Sequence, residues 1–340
     1  MKKKKHTFLK IFLCLLSTLI IFSISIVFIL SRDAGIQNDV LVNIPKNTSI
    51  SKAISIFNER ELLTPEWYYR TIVKVYSKIS GDGIYAGSYM YQKGNTNFEL
   101  LYSIFTGKQL CVRKVTFPEG IKLEKFASIV HKELAVDSAE FMNFVTSDSL
   151  LKANSIPSNS AEGYLMPNTY HFYWKQSIPE IVNTLIKAQD KIWNNKFSKY
   201  AFDEGKSRHE ILTLASIIEA EAPNHEDRLR VSGVFYNRLK RNMPLQSDPT
   251  VLYALKIHKE RVLYKDLEVD SPYNTYRHIG LPPGPINSPG LKSIEAALFP
   301  EVHDYLYFVA AGDGSGRITF ARTGTQHIYN VQNYRRERGK

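Results

Sequence analysis

The chain opens with its longest apolar stretch. From Phe8 to Leu30 ("FLKIFLCLLSTLIIFSISIVFIL") the only charge is Lys10, and about 20 apolar residues suffice for a helix to cross a bilayer. Beyond a short polar linker, period-two and period-3.6 patterns alternate. Val40 and Val42 predict a strand that Pro45 and Asn47 break, and Ile50, Ile54 and Phe57 recur at helical spacing. A second helix is expected over "TPEWYYRTIVKVYSKIS", with Thr64 as N-cap and Pro65 at the first helical position. "GIYAGSYMY" predicts a strand, and "TNFELLYSIFTGK" a helix stopped by Gly107. The strand–Pro turn–helix pattern of Val42–Leu62 returns at Val115–Leu134, with Pro45 matching Pro118 and Asn47 matching Gly120. One repetition is too few for a solenoid. It reads as two similar modules, or as two ordinary strand–helix units sharing turn chemistry.

Further on, "PEIVNTLIKAQDKIWNNKF", "LTLASIIEAEA" and "DRLRVSGVFYNRLKRN" predict helices. Ser207 and Glu210 form a capping box ahead of the second, and Pro223 closes it. Ile211, Leu214, Ala215, Ile218 and Ala222 mark its expected buried face. Near the C-terminus, "YLYFVA" and "RITFA" flank the turn "GDGSG" as a hairpin, and a polar helix begins at about Thr325. The class is α+β.

Composition changes this picture little. The 340 residues allow two domains, and 44% hydrophobic residues imply that most of the chain folds. The formal net charge of +11 is partly the cluster Lys2–Lys5 with Lys10, and the rest is scattered, ending in "RRERGK". No basic stripe is interleaved with aromatics, which argues against nucleic acid as a partner. Lysines before the apolar run keep the N-terminus inside and export the chain beyond Ser31. The run exceeds the ~7–15 residues of a signal-peptide core and lacks a small-residue cleavage site, so it reads as an anchor. With only Cys14 and Cys111, no disulfide framework supports the exported part.

The chemistry centres on Glu219 and Glu221. At 100° per residue they diverge by roughly 160°, so they cannot form a close acid–nucleophile pair. Two boundary glutamates on a helix flank are also the commonest structural arrangement. His209-Glu210 begins like a zinc motif, but Thr213 stands where the second histidine belongs. Gln246 and Asp248 lie before a helix, with Asp248-Pro249 a plausible N-cap pair. Tyr273, Asn274 and Tyr276 open the Pro/Gly-rich stretch "SPYNTYRHIGLPPGPINSPG", which suits either the wall of a groove or an extended surface loop. Tyrosine rings and amides are suited to sugars.

"EGYLMPNTY", "LASIIEAEA", "VFYNRLKRNMPLQSDPTVLYAL", "SPYNTYRHIGLPPGPINSPG" and "YLYFVAAGDGSGRITFA" occur in that order. Together they resemble the endolytic murein transglycosylase family, the YceG-like proteins, from about Val40 onward. Asn168 departs from the aspartate expected there. The resemblance implies a basic tail (1–7), a transmembrane anchor (8–30), a linker (31–39) and a LysM-like βα region (40–112). A connector with the second module (113–160) and a mixed α/β catalytic domain ending in a hairpin (161–340) complete it. It implies a lytic transglycosylase, a carbon–oxygen lyase acting on polysaccharides, that cleaves the MurNAc–GlcNAc bond of peptidoglycan and leaves 1,6-anhydro-MurNAc ends during cell-wall synthesis. A muramidase using Asp248 as second carboxylate, and a non-catalytic wall-binding scaffold, are the competing readings. Glu219 carries the catalytic role, Gln246, Asp248, Tyr273, Asn274 and Tyr276 line the cleft, and Glu221 stands behind them. Apolar neighbours such as Leu212 and Ala215 are expected to let Glu219 start as a neutral acid. No metal or cofactor is implied. Implied partners are glycan strands and the penicillin-binding synthases that extend them. Implied placement is a single pass of a bacterial cytoplasmic (inner) membrane, with the catalytic part outside.

Overall fold

The computed structural model describes residues 2–222, 224–257 and 262–338. Pro223, read above as a helix stop, lies outside the described residues, as do Gly339 and Lys340 at the C-terminus and the side chains of the N-terminal lysines. The chain divides into two compact units, residues 1–113 with 173–176, and residues 114–172 with 177–340.

The first unit begins with α1 (Lys2–Leu30). Its segment Phe12–Leu30 has a mean hydropathy of 2.8 and buries none of its length, so by length and composition it could cross a membrane. β1 (Val40–Ile44), α2 (Ile50–Asn58), α3 (Glu66–Ser80), β2 (Gly87–Tyr91) and α4 (Asn97–Thr106) come next. β1 and β2 pair antiparallel, with Val42 opposite Tyr89. Val42, Ile54, Phe57, Tyr89, Tyr91 and Leu100 close a core of their own. α4 starts with a reciprocal capping box of Thr96 and Glu99 and ends at left-handed Gly107. α3 starts one residue later than its pattern predicts, because Pro65 is the extended N-cap and Thr64 lies outside.

The second unit holds α5 (Leu123–Leu134), α6 (Ser138–Val145), α7 (Asp148–Ala153), α8 (Ile178–Ile192), α9 (Ser198–Asp203), α10 (Arg208–Glu221), α11 (His225–Lys240), α12 (Asp248–Ala254), α13 (Leu291–Leu298) and α14 (Gly324–Arg338). A π turn, Trp193–Phe197, joins α8 to α9. β3 (Val112–Thr116) pairs with β4 (Thr169–Tyr173), and β5 (Tyr307–Ala310) with β6 (Ile318–Ala321). The expected hairpin is therefore present, with Asp313, Ser315 and Arg317 tying its turn. The whole is an α+β architecture of many helices and small two-stranded sheets.

α10 is the central element. Its capping box of Ser207 and Glu210 forms on both sides. It is not the amphipathic helix that its sequence pattern suggests. Every residue from Ile211 to Ile218 is buried, since α11, α12, α13 and the loop before α13 cover it on all sides. Each buried Leu or Ile contributes roughly 1.5–3 kcal/mol, so the helix is a rigid post. Thr213 and Ser216 survive inside it by donating to the carbonyls of His209 and Thr213. Its two ends emerge, the first turn with Arg208, His209 and exposed Glu210, and the last with Glu219, exposed Ala220 and Glu221.

Candidate active site

Two loops meet over that last turn. Ser216 Oγ accepts from the Ile286 N–H at 3.0 Å, and the Asn287 amide donates to the Ser216 carbonyl at 2.8 Å. The turn after β3 is laced to the same loop, Gly120 N–H to the Ser288 carbonyl and Ser288 N–H to that of Ile121. Gly120 takes a left-handed φ of 74°, and a Cβ there would stand 3.3 Å from Glu219 Cγ. Glycine is required for both reasons. The result is an open cleft of about 730 Å³ lined by Gly120, Lys122, Ala220, Pro249, Ile286 and Asn287. Ala220 lies in its floor, with one glutamate on either side in sequence.

Glu219 does not sit in an apolar wall. Its side chain is 7% exposed, and the Arg228 guanidinium donates to Oε1 at 2.9 Å. The Gly290 N–H, at the N-terminus of α13, donates to Oε2 at 2.9 Å, where the helix dipole favours negative charge. Leu212 and Ala215 are buried farther back on α10 and supply no such cradle. Arg228 is itself fixed by donating Nε–H to the Ala222 carbonyl, and it reaches Glu119 at 3.9 Å. Ala222 ends α10 in an extended conformation, the region that a following proline favours, and Arg228 of α11 meets Glu219.

Glu221 faces another neighbourhood, as the helical spacing requires. Ser247 Oγ–H donates to it at 2.6 Å. Burial pushes its carboxyl up to about 7, the Ser247 bond opposes this, the nearby Asp248 charge adds to it and Arg238 opposes it. Ser247, not Asp248, is the N-cap of α12. Asp248 is the first helical residue, and its carboxylate accepts from Tyr276 O–H at 2.6 Å. Gln246 is exposed, with Oε1 accepting from Arg238 at 3.2 Å. These groups converge because the loop before α12 docks on the Tyr273–Tyr276 loop. Gln246 N–H donates to the Thr275 carbonyl, and Ser247 N–H to Thr275 Oγ1.

Asn274 is brought near but not offered to a ligand. It is fully buried, its amide donates to the Leu267 and Val269 carbonyls, and Oδ1 accepts from Tyr276 N–H. It shapes the loop. Tyr273 is half-buried, stacked obliquely on Tyr253 at 4.8 Å. Asn168 accepts from its neighbour Thr169 N–H, and its carbonyl receives Phe117 N–H. His209 bonds through both ring nitrogens, to Tyr164 O–H and the Pro283 carbonyl, and among the described residues no cluster of His, Cys, Asp and Glu could hold a metal.

Residue patterns alone missed Arg228, Gly290, Glu119 and Glu162. Arg228 stands nine positions after Glu219, across a helix boundary, so no single-element periodicity links them. Glu162 is 4% exposed and caps α5 from 39 residues away by accepting Leu123 N–H.

A model of the YceG-like family matches residues 42–333. The chain is 37% identical over 318 residues to the endolytic murein transglycosylase of Bacillus subtilis strain 168, covering 88% of this chain and 85% of that one. It is 30% identical to the protein of that name from Streptococcus pneumoniae D39, covering 89% of this chain and 60% of the longer relative. The crystal structure of a YceG-like protein from Listeria monocytogenes superposes with a TM-score of 0.61 at 35% identity, over 86% of this chain and 99% of that one. The extent of these matches shows that the chain belongs to the YceG-like family.

Proposed function

We propose that this protein is an endolytic murein transglycosylase, acting on glycan strands of peptidoglycan as its named relatives do. The observation that carries the reading is Glu219, a buried carboxylate beside the cleft, held at both oxygens by Arg228 and the Gly290 N–H. In the lytic reaction one group works twice. In its protonated form, Glu219 gives its proton to the glycosidic oxygen as the C1–O bond breaks. The carboxylate then accepts the proton of the C6 hydroxyl, whose oxygen closes onto C1 as a 1,6-anhydro ring. No water is consumed, and the proton returns to Glu219. The two donors hold the carboxylate oriented for this second half, an arrangement that lowers the reorganisation needed during reaction. In this reading Gln246, Asp248, Tyr273 and Tyr276 bind the strand, and Glu221 supports the loop before α12 through Ser247.

A hydrolytic reading finds support in one contact. Glu119 reaches the same guanidinium as Glu219, whereas Asp248 is engaged by Tyr276. Glu119 therefore replaces Asp248 as the candidate second carboxylate that a hydrolase requires. Upstream, α1 anchors the chain in the cytoplasmic membrane, residues 40–112 form a LysM-like region, and the second unit works outside, near the synthases that extend the strands.

The test is digestion of purified glycan strands by wild type and Glu219→Gln. The expected result is products ending in 1,6-anhydro-MurNAc from wild type and none from the variant. Products heavier by one water would establish a hydrolase, and wild-type activity in Glu219→Gln would remove Glu219 from the mechanism. Strand retention without any cleavage by either protein would leave the scaffold reading.

A further inference from the structure

A second pocket adjoins the cleft. Its volume is about 360 Å³, within the ~300–1,000 Å³ of small-ligand sites. Lys122 and Glu124, at the start of α5, line both cavities, so the two meet along that edge. Tyr253 and Ala254 of α12, Thr146 at the end of α6, and Tyr273 form much of the rest.

Glu162 also lines this pocket. One of its oxygens accepts Leu123 N–H at 3.3 Å, and the other, Oε1, has no hydrogen-bond partner among the described residues. Capping α5 uses only one oxygen, so the cap does not account for the second. Burial, the largest influence, pushes this carboxyl up to about 8; Leu123 N–H opposes the rise, Glu124 adds to it, and Lys122 and Gly163 N–H oppose it. Burial favours the neutral acid, a donor for which the described residues supply no acceptor. A buried donor left in that state is costly. Beside it stand Tyr253 and Tyr273, ring centroids 4.8 Å apart, with Lys122 Nζ 5.4 Å from the Tyr253 ring. Aromatic faces cover sugar C–H surfaces, and a neutral acid donates well to a carbonyl.

We propose that this pocket is a sugar subsite, taking one N-acetylated ring of a strand that lies in the cleft, with its ring against Tyr253 and Tyr273 and its acetamido carbonyl accepting from Glu162. The inference rests on the glycan-strand reading above.

The experiment uses the full chain carrying Glu219→Gln, so that oligomers survive, and measures affinity by calorimetry. The ligands are alternating N-acetylglucosamine–N-acetylmuramic acid oligomers of two and of six sugars, with and without stem peptides. Ala254→Phe fills the pocket from α12, and Thr146→Phe fills it from the exposed end of α6, where little stability is at stake. A subsite contributes a few hydrogen bonds and a stacking contact, so the six-sugar to two-sugar affinity ratio should fall about tenfold in each variant. The peptide-free oligomers should show the full effect. An unchanged ratio in either folded variant overturns the subsite, and so does an effect confined to peptide-bearing oligomers. If the protein without pocket substitutions binds no oligomer and wild type cleaves no strand, the glycan reading fails and takes the subsite with it. Wild-type cleavage with an unchanged ratio removes the subsite alone.

Discussion

Arg228 carries as much of the site as Glu219 does. The two side chains are 10% and 7% exposed, so neither is well solvated if the other is removed. Breaking such a buried pair costs about 3–5 kcal/mol. Arg228→Ala should therefore lower the unfolding free energy by about that amount, and it should reduce strand cleavage more than a hundredfold by releasing Glu219 from its orientation. Denaturant unfolding and product release measure the two effects. Glu221 makes a different prediction. Its carboxyl is raised from the ordinary 4.5 to about 7, so the folded state holds a proton that the unfolded chain has already released. Stability from this group is complete below about pH 4.5 and is lost as the pH rises to about 7. Glu221→Gln should flatten part of the fall in stability between pH 5 and 7. Denaturation series at several pH values check this, and a variant as steep as wild type would exclude it. Glutamates 219 and 221 were legible as divergent from spacing alone. Their partners were not, because Arg228, Gly290 and Ser247 come from three other segments. The apolar context of α10 in sequence described its buried stem and not the polar cradle at its tip.

At the scale of elements, the site depends on loops held against a rigid helix. The turn after β3 must pass Glu219 closely, and Gly120 makes that possible through a φ of 74° and the absence of a side chain. Gly120→Ala forces a left-handed alanine, costing roughly 1–2 kcal/mol, and presses a methyl toward Glu219 Cγ. The expected outcome is a lowered midpoint of thermal unfolding and a fall in kcat larger than the change in KM. Equal kinetics in the two proteins would mean that the turn yields without moving the carboxylate. Helices with strong end signals, such as α4 and α10, were readable from their caps. The Pro-rich loops were readable only as loops, since their course is set by Ser216, Thr275 and the backbone of distant segments. Asn274 illustrates the limit: its chemistry suited a ligand, but burial turned it inward to hold Leu267 and Val269.

For the whole molecule, α1 is the one candidate membrane span among the described residues, by length and composition. Phe12–Leu30 leaves most of its described side chains exposed, with Ile29 and Leu30 packing on the first unit's core, and has a mean hydropathy of 2.8, a pattern that water tolerates poorly over 19 residues. Full-length protein should sediment with membranes and resist carbonate extraction, whereas a chain lacking residues 2–30 should remain soluble and keep its glycan cleavage. Recovery of full-length protein in the soluble fraction would exclude the anchor. Such a truncation leaves the second unit's core untouched and takes only Ile29 and Leu30 from the edge of the first, which is why it should fold.

Two long-range contacts limit where the chain can be cut further. Glu162 reaches back across 39 positions to hold the first N–H of α5, and Gly120 reaches forward to Ser288. A fragment beginning at residue 161 would carry Glu219 and yet lose one bank of the cleft. The smallest portable catalyst must start before β3, and any graft or fusion that treats the repeat-like module as a detachable spacer would separate the acid from the walls that aim it.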